Sequence, residues 1–204
     1  TITPSQYSAS TSGVTGLSIV SSISQAGGNA VGISGKDGNL ISAKRISILD
    51  KDSDSNVEKA VDLGFVGEPE QINVEILNGL IAQKMIPVIA PVGIGKKGES
   101  YNINADTAAG AVASAMKATR MIMLTDVMGV LDSNDNLVSE LSIEKAKKLI
   151  DEKIVVGGMI PKVKTCINTV RQGSEAAVIM DGRLPHALLI ELFTEHGIGT
   201  LIKK

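Results

Sequence analysis

Met121-Ile122-Met123-Leu124-Thr125-Asp126-Val127-Met128-Gly129-Val130-Leu131 is the stretch on which the fold turns. Its first five residues, apolar up to a closing threonine, read as a short strand buried between two layers. The strand ends at Thr125-Asp126 and passes into a loop around Gly129. In open α/β sheets, ligands bind beyond the carboxyl ends of strands, which places Asp126 and the backbone near Gly129 to meet a nucleotide base or ribose. Asp and Gly are also ordinary turn residues, and this stretch alone leaves both readings open.

Working outward, Met85-Ile86-Pro87-Val88-Ile89-Ala90-Pro91-Val92 reads as a second buried strand. Between the two lie a hairpin-like segment, 93–104, and a helix from about Asp106 to Lys117. Ile143, Ala146, Leu149 and Ile150 mark one amphipathic helix, and Ile160, Val163, Ile167 and Val170 a second. Residues 176–180 form a strand, 187–193 a helix and 199–203 a closing strand. Upstream, a helix from Leu17 stops at Gly27-Gly28, Ala30 to Ile33 is a short strand, and Val74 to Gln83 is a helix. The charged tract Asp50 to Glu58 reads as a surface excursion, and residues 1–16 as a poorly defined lead-in. Strands alternating with helices predict an α/β sandwich of three layers around a central, mainly parallel sheet.

Composition narrows the function. The 204 residues suit one large domain or two small ones, and 43% apolar content is ample for a core. A net charge of −2 argues against a nucleic-acid surface. No apolar run is long enough to span a membrane, and the single cysteine, Cys166, excludes an internal disulfide. A cytoplasmic location is expected.

Three motifs carry chemistry. In Tyr101-Asn102-Ile103-Asn104-Ala105-Asp106-Thr107, Asn102 and Asn104 alternate and so face one way. Their amides suit a shared small ligand, with Asp106 at or beside a helix N-cap; a capped helix after a hairpin is the plainer alternative. Gly93-Ile94-Gly95-Lys96-Lys97-Gly98 matches a dinucleotide pattern, but a polar strand rather than a helix follows, which favours a hairpin turn. In Gly157-Gly158-Met159-Ile160-Pro161-Lys162, glycines precede a helix whose first turn holds Pro161 and Lys162. A cation there faces the positive end of the helix dipole, a penalty that a bound phosphate reverses. A solvated lysine is the alternative. Cys166 reads as a small core residue, and His186 and His196 show no metal-ligand partners, so no metal site is assigned.

Segments 30–41, 86–95, 101–110, 124–131, 157–163 and 186–202 together resemble the acetylglutamate kinases of the amino acid kinase family, over roughly residues 17–204. The resemblance implies an amino acid kinase-like domain over 17–204, with a substrate part at about 17–104 and a nucleotide part at about 105–204. It implies ATP-dependent phosphorylation of the γ-carboxylate of N-acetyl-L-glutamate, in arginine biosynthesis, with Mg²⁺ accompanying the ATP. Lys162 would stabilise the transferring phosphoryl group and Asp106 would orient lysines. Asn102 and Asn104 would hold acetylglutamate. ATP would lie against Asp126, Val127, Met128, Gly129, Val130 and Leu131 on one side, and Ile154, Val155, Val156, Gly157 and Gly158 on the other. No nucleic acid or membrane partner is implied.

Members of that family begin with a lysine-bearing strand, a second glycine-rich loop and a substrate-binding Arg, none of which is found in residues 1–16. The chain is therefore expected to lack about its N-terminal third. A degenerate relative, or a non-catalytic, arginine-responsive regulatory subunit, is the competing expectation. Arginine-sensitive members resemble this chain at Glu191 and Gly197, which would form the effector site, although Val178 stands where they often carry a histidine. A homodimer is expected, with a hexamer in a full-length form.

Overall fold

Helix α1 (Gly16–Gln25) ends where Gly27 takes φ +83°, and the amides of Gly27 and Gly28 turn back onto Ser24 and Ile23 carbonyls. Beyond it follow β1 (Ala30–Ser34), β2 (Ile41–Lys51), β3 (Glu58–Ile72) and α2 (Val74–Ala82). Next come β4 (Ile86–Ala90), β5 (Val92–Ile94), β6 (Ser100–Ile103) and α3 (Ala105–Ala115). The computed structural model describes residues 16–51, 58–194 and 197–204. The chain divides into two compact units after Ala108, inside α3 and a few residues past the expected boundary at 104. The lead-in expected at 1–16 lies almost wholly outside the described residues.

In the first unit, β1 and β4 pair in parallel, from Ala30 opposite Ile86 to Ser34 opposite Ala90. Strands β2, β3, β6 and β5 close into a four-stranded barrel. The single strand read over 85–92 is two: β4 ends before Pro91, which has no N–H to give to a ladder, and β5 starts anew in the barrel. The charged tract is likewise more than a surface excursion. Its flanks are the ends of a long antiparallel pair in which Lys51 lies opposite Glu58, while residues 52–57 fall outside the described residues. Register shifts between Ser42 and Ala43, and between Arg45 and Ser47, break the alternation that would have shown β2 in the sequence. Residues 93–104 form the expected hairpin, its turn closed by the Gly95 amide on the Glu99 carbonyl and the Gly98 amide on the Gly95 carbonyl.

The second unit takes the rest of α3 and adds β7 (Arg120–Thr125), β8 (Glu140–Ser142) and α4 (Ile143–Asp151). Then come α5 (Met159–Gln172), β9 (Ala176–Asp181), α6 (Ala187–Phe193) and β10 (Thr200–Lys203). The sheet order is β7-β9-β10-β8, with β7–β9 and β10–β8 parallel and β9–β10 antiparallel. Its core gathers Met121, Met123, Val163, Cys166, Ile167, Val170, Ala177, Ile179 and Ile202. Cys166 is thus the small core residue expected. Ser142 caps α4 by accepting the Lys145 amide at 3.2 Å. The three-residue strand β8 is too short to carry a period, and the sequence did not show it. Among the described residues, no helix is long and apolar enough to cross a membrane.

Candidate functional site

The first unit sets out the asparagines. Tyr101 and Ile103 of β6 are buried and Asn102 is exposed between them, where β6 is flanked by β3 and β5 in the barrel. β6 ends at Ile103, so Asn104 is not a strand residue. It occupies the N-cap of α3, its Oδ1 accepting the Thr107 amide at 3.1 Å and the Thr107 hydroxyl at 3.3 Å. The cap expected at or beside Asp106 therefore belongs to Asn104. One oxygen on the cap leaves the Asn104 amide NH₂ to donate outward. Asp106 lies in the first turn of α3, half-buried, where a carboxylate complements the helix dipole.

The second unit sorts the nucleotide candidates. Thr125 closes β7 with a local turn: its Oγ1 accepts the Val127 amide at 2.9 Å and donates to the Val127 carbonyl at 3.0 Å. That turn holds Asp126, Val127 and Met128 at the surface beyond the carboxyl end of β7. Val130 goes inward, its amide donating to Thr200 Oγ1 at 2.8 Å and its carbonyl accepting the Val138 amide. Gly129, at φ +149°, is small because of Thr200: a Cβ there would sit 2.6 Å from Thr200 Oγ1. Neither residue offers a side chain to a ligand. Leu131, half-buried, bridges to Leu137, and Val155 is buried. Ile154 is half-buried, whereas Val156, Gly157 and Gly158 are exposed.

Gly157 has φ +56° and Gly158 is the N-cap of α5, without a side-chain cap. A Cβ on either would meet nothing within 4 Å, so packing in the described chain does not require glycine at both positions. Met159 and Ile160 amides turn back onto the Val156 and Gly157 carbonyls, and Lys162 follows as the fourth residue of the helix, half-buried. α5 reaches β9 through residues 173–175 and packs on it. Its 14 residues span about 21 Å, close to the length of a six-residue strand of about 20 Å. The helix N-terminus, with Gly157, Gly158 and Lys162, therefore lies at the carboxyl edge of β9, the edge that Asp126 to Met128 also occupy.

Two residues at that edge escaped the sequence reading. Asp181 ends β9 and is almost buried, and Arg183 encloses its carboxylate. Arg183 donates from its amide and Nε to Asp181 Oδ1, both at 2.9 Å, and from Nη2 to Oδ2 at 2.8 Å. These bonds hold the Asp181 carboxyl down to about 2 and push the Arg183 guanidinium up. An Asp-Gly-Arg run directly after an apolar strand was the available signal.

Glu191 is not an exposed helix carboxylate: it is 7% exposed, its Oε2 accepting the Ile198 amide at 3.0 Å and its Oε1 facing Arg120 Nη1 at 3.5 Å. Gly197, at φ +59°, has no room for a Cβ beside that carboxylate. Both line a cavity of about 200 Å³ with Arg120, Ser139, Glu140 and Thr194. His186 starts α6 at φ 61° without a side-chain cap, and His196 lies outside the described residues.

A model of the amino acid kinase family matches residues 9–181. The chain is 56% identical to the protein named acetylglutamate kinase in Rhodospirillum centenum, over 94% of this chain and 63% of that one. It is 56% identical to the protein of that name in Gluconobacter oxydans, over 94% of this chain and 65% of the other. The chain thus spans somewhat under two thirds of the length of these relatives. A solved structure from Streptococcus mutans UA159 superposes with a TM-score of 0.71 at 29% identity, over 93% of this chain and 66% of that one.

Proposed function

The chain belongs to the amino acid kinase family, and on that premise we propose that its protein transfers the γ-phosphoryl group of ATP to the γ-carboxylate of N-acetyl-L-glutamate. The observation that carries the proposal is the carboxyl edge of β7 and β9. It sets an exposed glycine pair, in which the positive φ of Gly157 itself favours glycine and nothing packs against Gly158, with a helix N-terminus and Lys162 beside a surface loop. The identity to acetylglutamate kinases, sustained over 94% of this chain, supports N-acetyl-L-glutamate as the acceptor.

The chemistry asks little of acid–base groups. A carboxylate of pKa about 4.3 is already ionised at neutral pH, so it attacks without a general base. One oxygen of the γ-carboxylate bonds to the γ-phosphorus as the bond to the oxygen bridging to the β-phosphate breaks. ADP leaves with that electron pair, and the product is an acyl phosphate. The obstacle is the approach of an anion to a polyanion, which positioned cations and amides relieve. Lys162 and the amides of Gly157 and Gly158, just ahead of α5, take this role. Asp126, Val127 and Met128 hold the nucleoside, and Asn102 and Asn104 hold acetylglutamate, with Asp106 orienting lysines. Among the described residues no group of three His, Cys, Asp or Glu side chains gathers into a cation site. Mg²⁺ would accompany the phosphates and offset part of their charge.

The cavity at Glu191 is proposed as the place where L-arginine acts on the enzyme. Its carboxylate is fixed and its walls are polar, which suits a ligand with a guanidinium and an α-amino acid head. Arg120 already faces Glu191 at 3.5 Å, a loose contact that an arriving guanidinium would share or displace. Calorimetry with arginine on the natural protein and on Glu191→Gln tests this; equal binding by both, or none by either, removes the site. The cytoplasm and a homodimer, or a hexamer in a longer form, belong to the same proposal, and sedimentation reads the assembly.

Trapping the product tests the main reading. The protein at its natural length, given ATP, Mg²⁺ and N-acetyl-L-glutamate, should yield a hydroxamate with hydroxylamine. ATP turnover that requires a different acid would replace the substrate, and no turnover with any carboxylate would end the proposal.

A further inference from the structure

We propose that Arg183 is a ligand for the polyphosphate of the nucleoside triphosphate, held ready for it by Asp181; this rests on the nucleotide reading of the β7–β9 edge. The backbone brings Arg183 there. Thr125 lies opposite Asp181 in the parallel β7–β9 pairing, and the Gly182 amide donates to the Thr125 carbonyl at 2.9 Å, continuing the ladder past the strand end. Gly182 presses against β7 so closely that a Cβ would sit 2.9 Å from that of Leu124. The turn bearing Arg183 is therefore fixed against the strand from which the nucleotide loop departs.

The side chain is aimed as well as placed. Asp181 engages the Arg183 Nε and Nη2 at 2.9 and 2.8 Å, which fixes the plane of the guanidinium. A guanidinium has five N–H groups, and only two are used here. The remainder point away from Asp181, and the Arg183 side chain is 68% exposed against 9% for that of Asp181. The arrangement is a buried carboxylate orienting an exposed cation. The Asp126 charge also acts on Arg183, which puts the guanidinium near the loop proposed for the nucleoside. A planar fork with free N–H groups matches phosphate oxygens better than a lysine ammonium does. At this edge it would complement Lys162, one cation fixed by a helix terminus and the other by a strand-end carboxylate. Asp181 is the positioning residue of the pair.

The plainer role, a staple that only tightens the turn, predicts a different experiment. Binding of Mg-ATP and of adenosine is measured by calorimetry on the natural-length protein and on Arg183→Ala and Arg183→Lys. Loss of charge-assisted hydrogen bonds should weaken ATP by about 10- to 100-fold and leave adenosine unchanged, with Arg183→Lys in between. Asp181→Asn should weaken ATP less than Arg183→Ala does. Equal losses for ATP and adenosine would make Arg183 a staple, and unchanged ATP binding would remove it from the site. Should Arg183→Ala fail to fold, Arg183→Lys reads the same ratio. Wild-type protein that binds no ATP would overturn the nucleotide reading itself, an outcome distinct from either.

Discussion

β4 and β9 are both short and apolar, Ile-Pro-Val-Ile-Ala against Ala-Ala-Val-Ile-Met-Asp, yet only one is buried. In β9, Val178, Ile179 and Met180 are wholly inaccessible, whereas in β4 every residue keeps contact with solvent and Ile86 is 49% exposed. The cause is neighbours rather than composition. β9 has β7 on one side, β10 on the other and α5 against its face. Among the described residues β4 pairs with β1 alone, so one edge of it is unpaired, although α1 and α2 also touch it. An apolar run in a sequence reports what a strand needs, and the topology decides whether it is met.

The largest effect expected follows directly. Ile179→Ala should cost about 2–5 kcal/mol, the range for emptying a packed aliphatic site. Ile89→Ala, in half-buried β4, should cost less than about 2 kcal/mol, because less area leaves water on folding. Urea denaturation of each variant, followed by circular dichroism, measures both. Equal costs would mean that β4 has a cover in the natural protein, and the contrast would be one of coverage alone.

The contrast extends to chemistry at the next magnitude. On the proposed mechanism Lys162 sits where phosphoryl charge develops, so Lys162→Ala should lower kcat by about 10²-fold or more in the natural-length protein. Steady-state kinetics with both substrates reads it. A variant that kept kcat and raised only the KM for ATP would make Lys162 a binding residue.

How much was legible depends on whether a residue's role is local. β7, α4, α5, β9, α6 and β10 were all visible, because each is a periodic or apolar run bounded by glycine or a cap. β2 and β3 were not, since bulges disrupt their alternation and their partners lie across the barrel. At the site, the glycines before α5 were readable from the strand-to-helix order. Val130 and Gly129 were read as neighbours of a nucleotide; that both also answer to Thr200, about seventy residues away, no local pattern could show. Asp181 and Arg183 look like an ordinary turn until their hydrogen bonds are seen.

The asparagine–aspartate motif sharpens this at about 1 kcal/mol. Asn104 is the cap, so Asn104→Ala should cost about 1 kcal/mol of stability. Asp106 stands in the first turn, where its charge complements the helix dipole, so Asp106→Asn should cost no more than about 1 kcal/mol of stability while activity collapses. If Asp106→Asn lost stability and activity in parallel, its part would be structural.

The smallest expected effect isolates the Asp181–Arg183 pair by pH. Arg183 lowers the Asp181 carboxyl from an ordinary 3.8 to about 2, so folding favours its ionised form. A carboxylate depressed in the folded state contributes stability above its unfolded pKa and loses it as pH falls through the folded one. The contribution of Asp181 is therefore whole above about pH 4 and fades between about 4 and 2. Asp132 is also held low, by the amides of Asn136 and Asn134, and Glu99 by its own amide and that of Lys97, so the wild-type acid curve alone would mix all three. The useful quantity is the difference in thermal midpoint between wild type and Asp181→Asn. It should be constant from pH 7 to 5 and shrink steadily below 4. Because the guanidinium is exposed, the difference should be small, and it should narrow further in 1 M salt. A difference that did not change with pH would show that Asp181 holds Arg183 through geometry alone, with its charge contributing nothing.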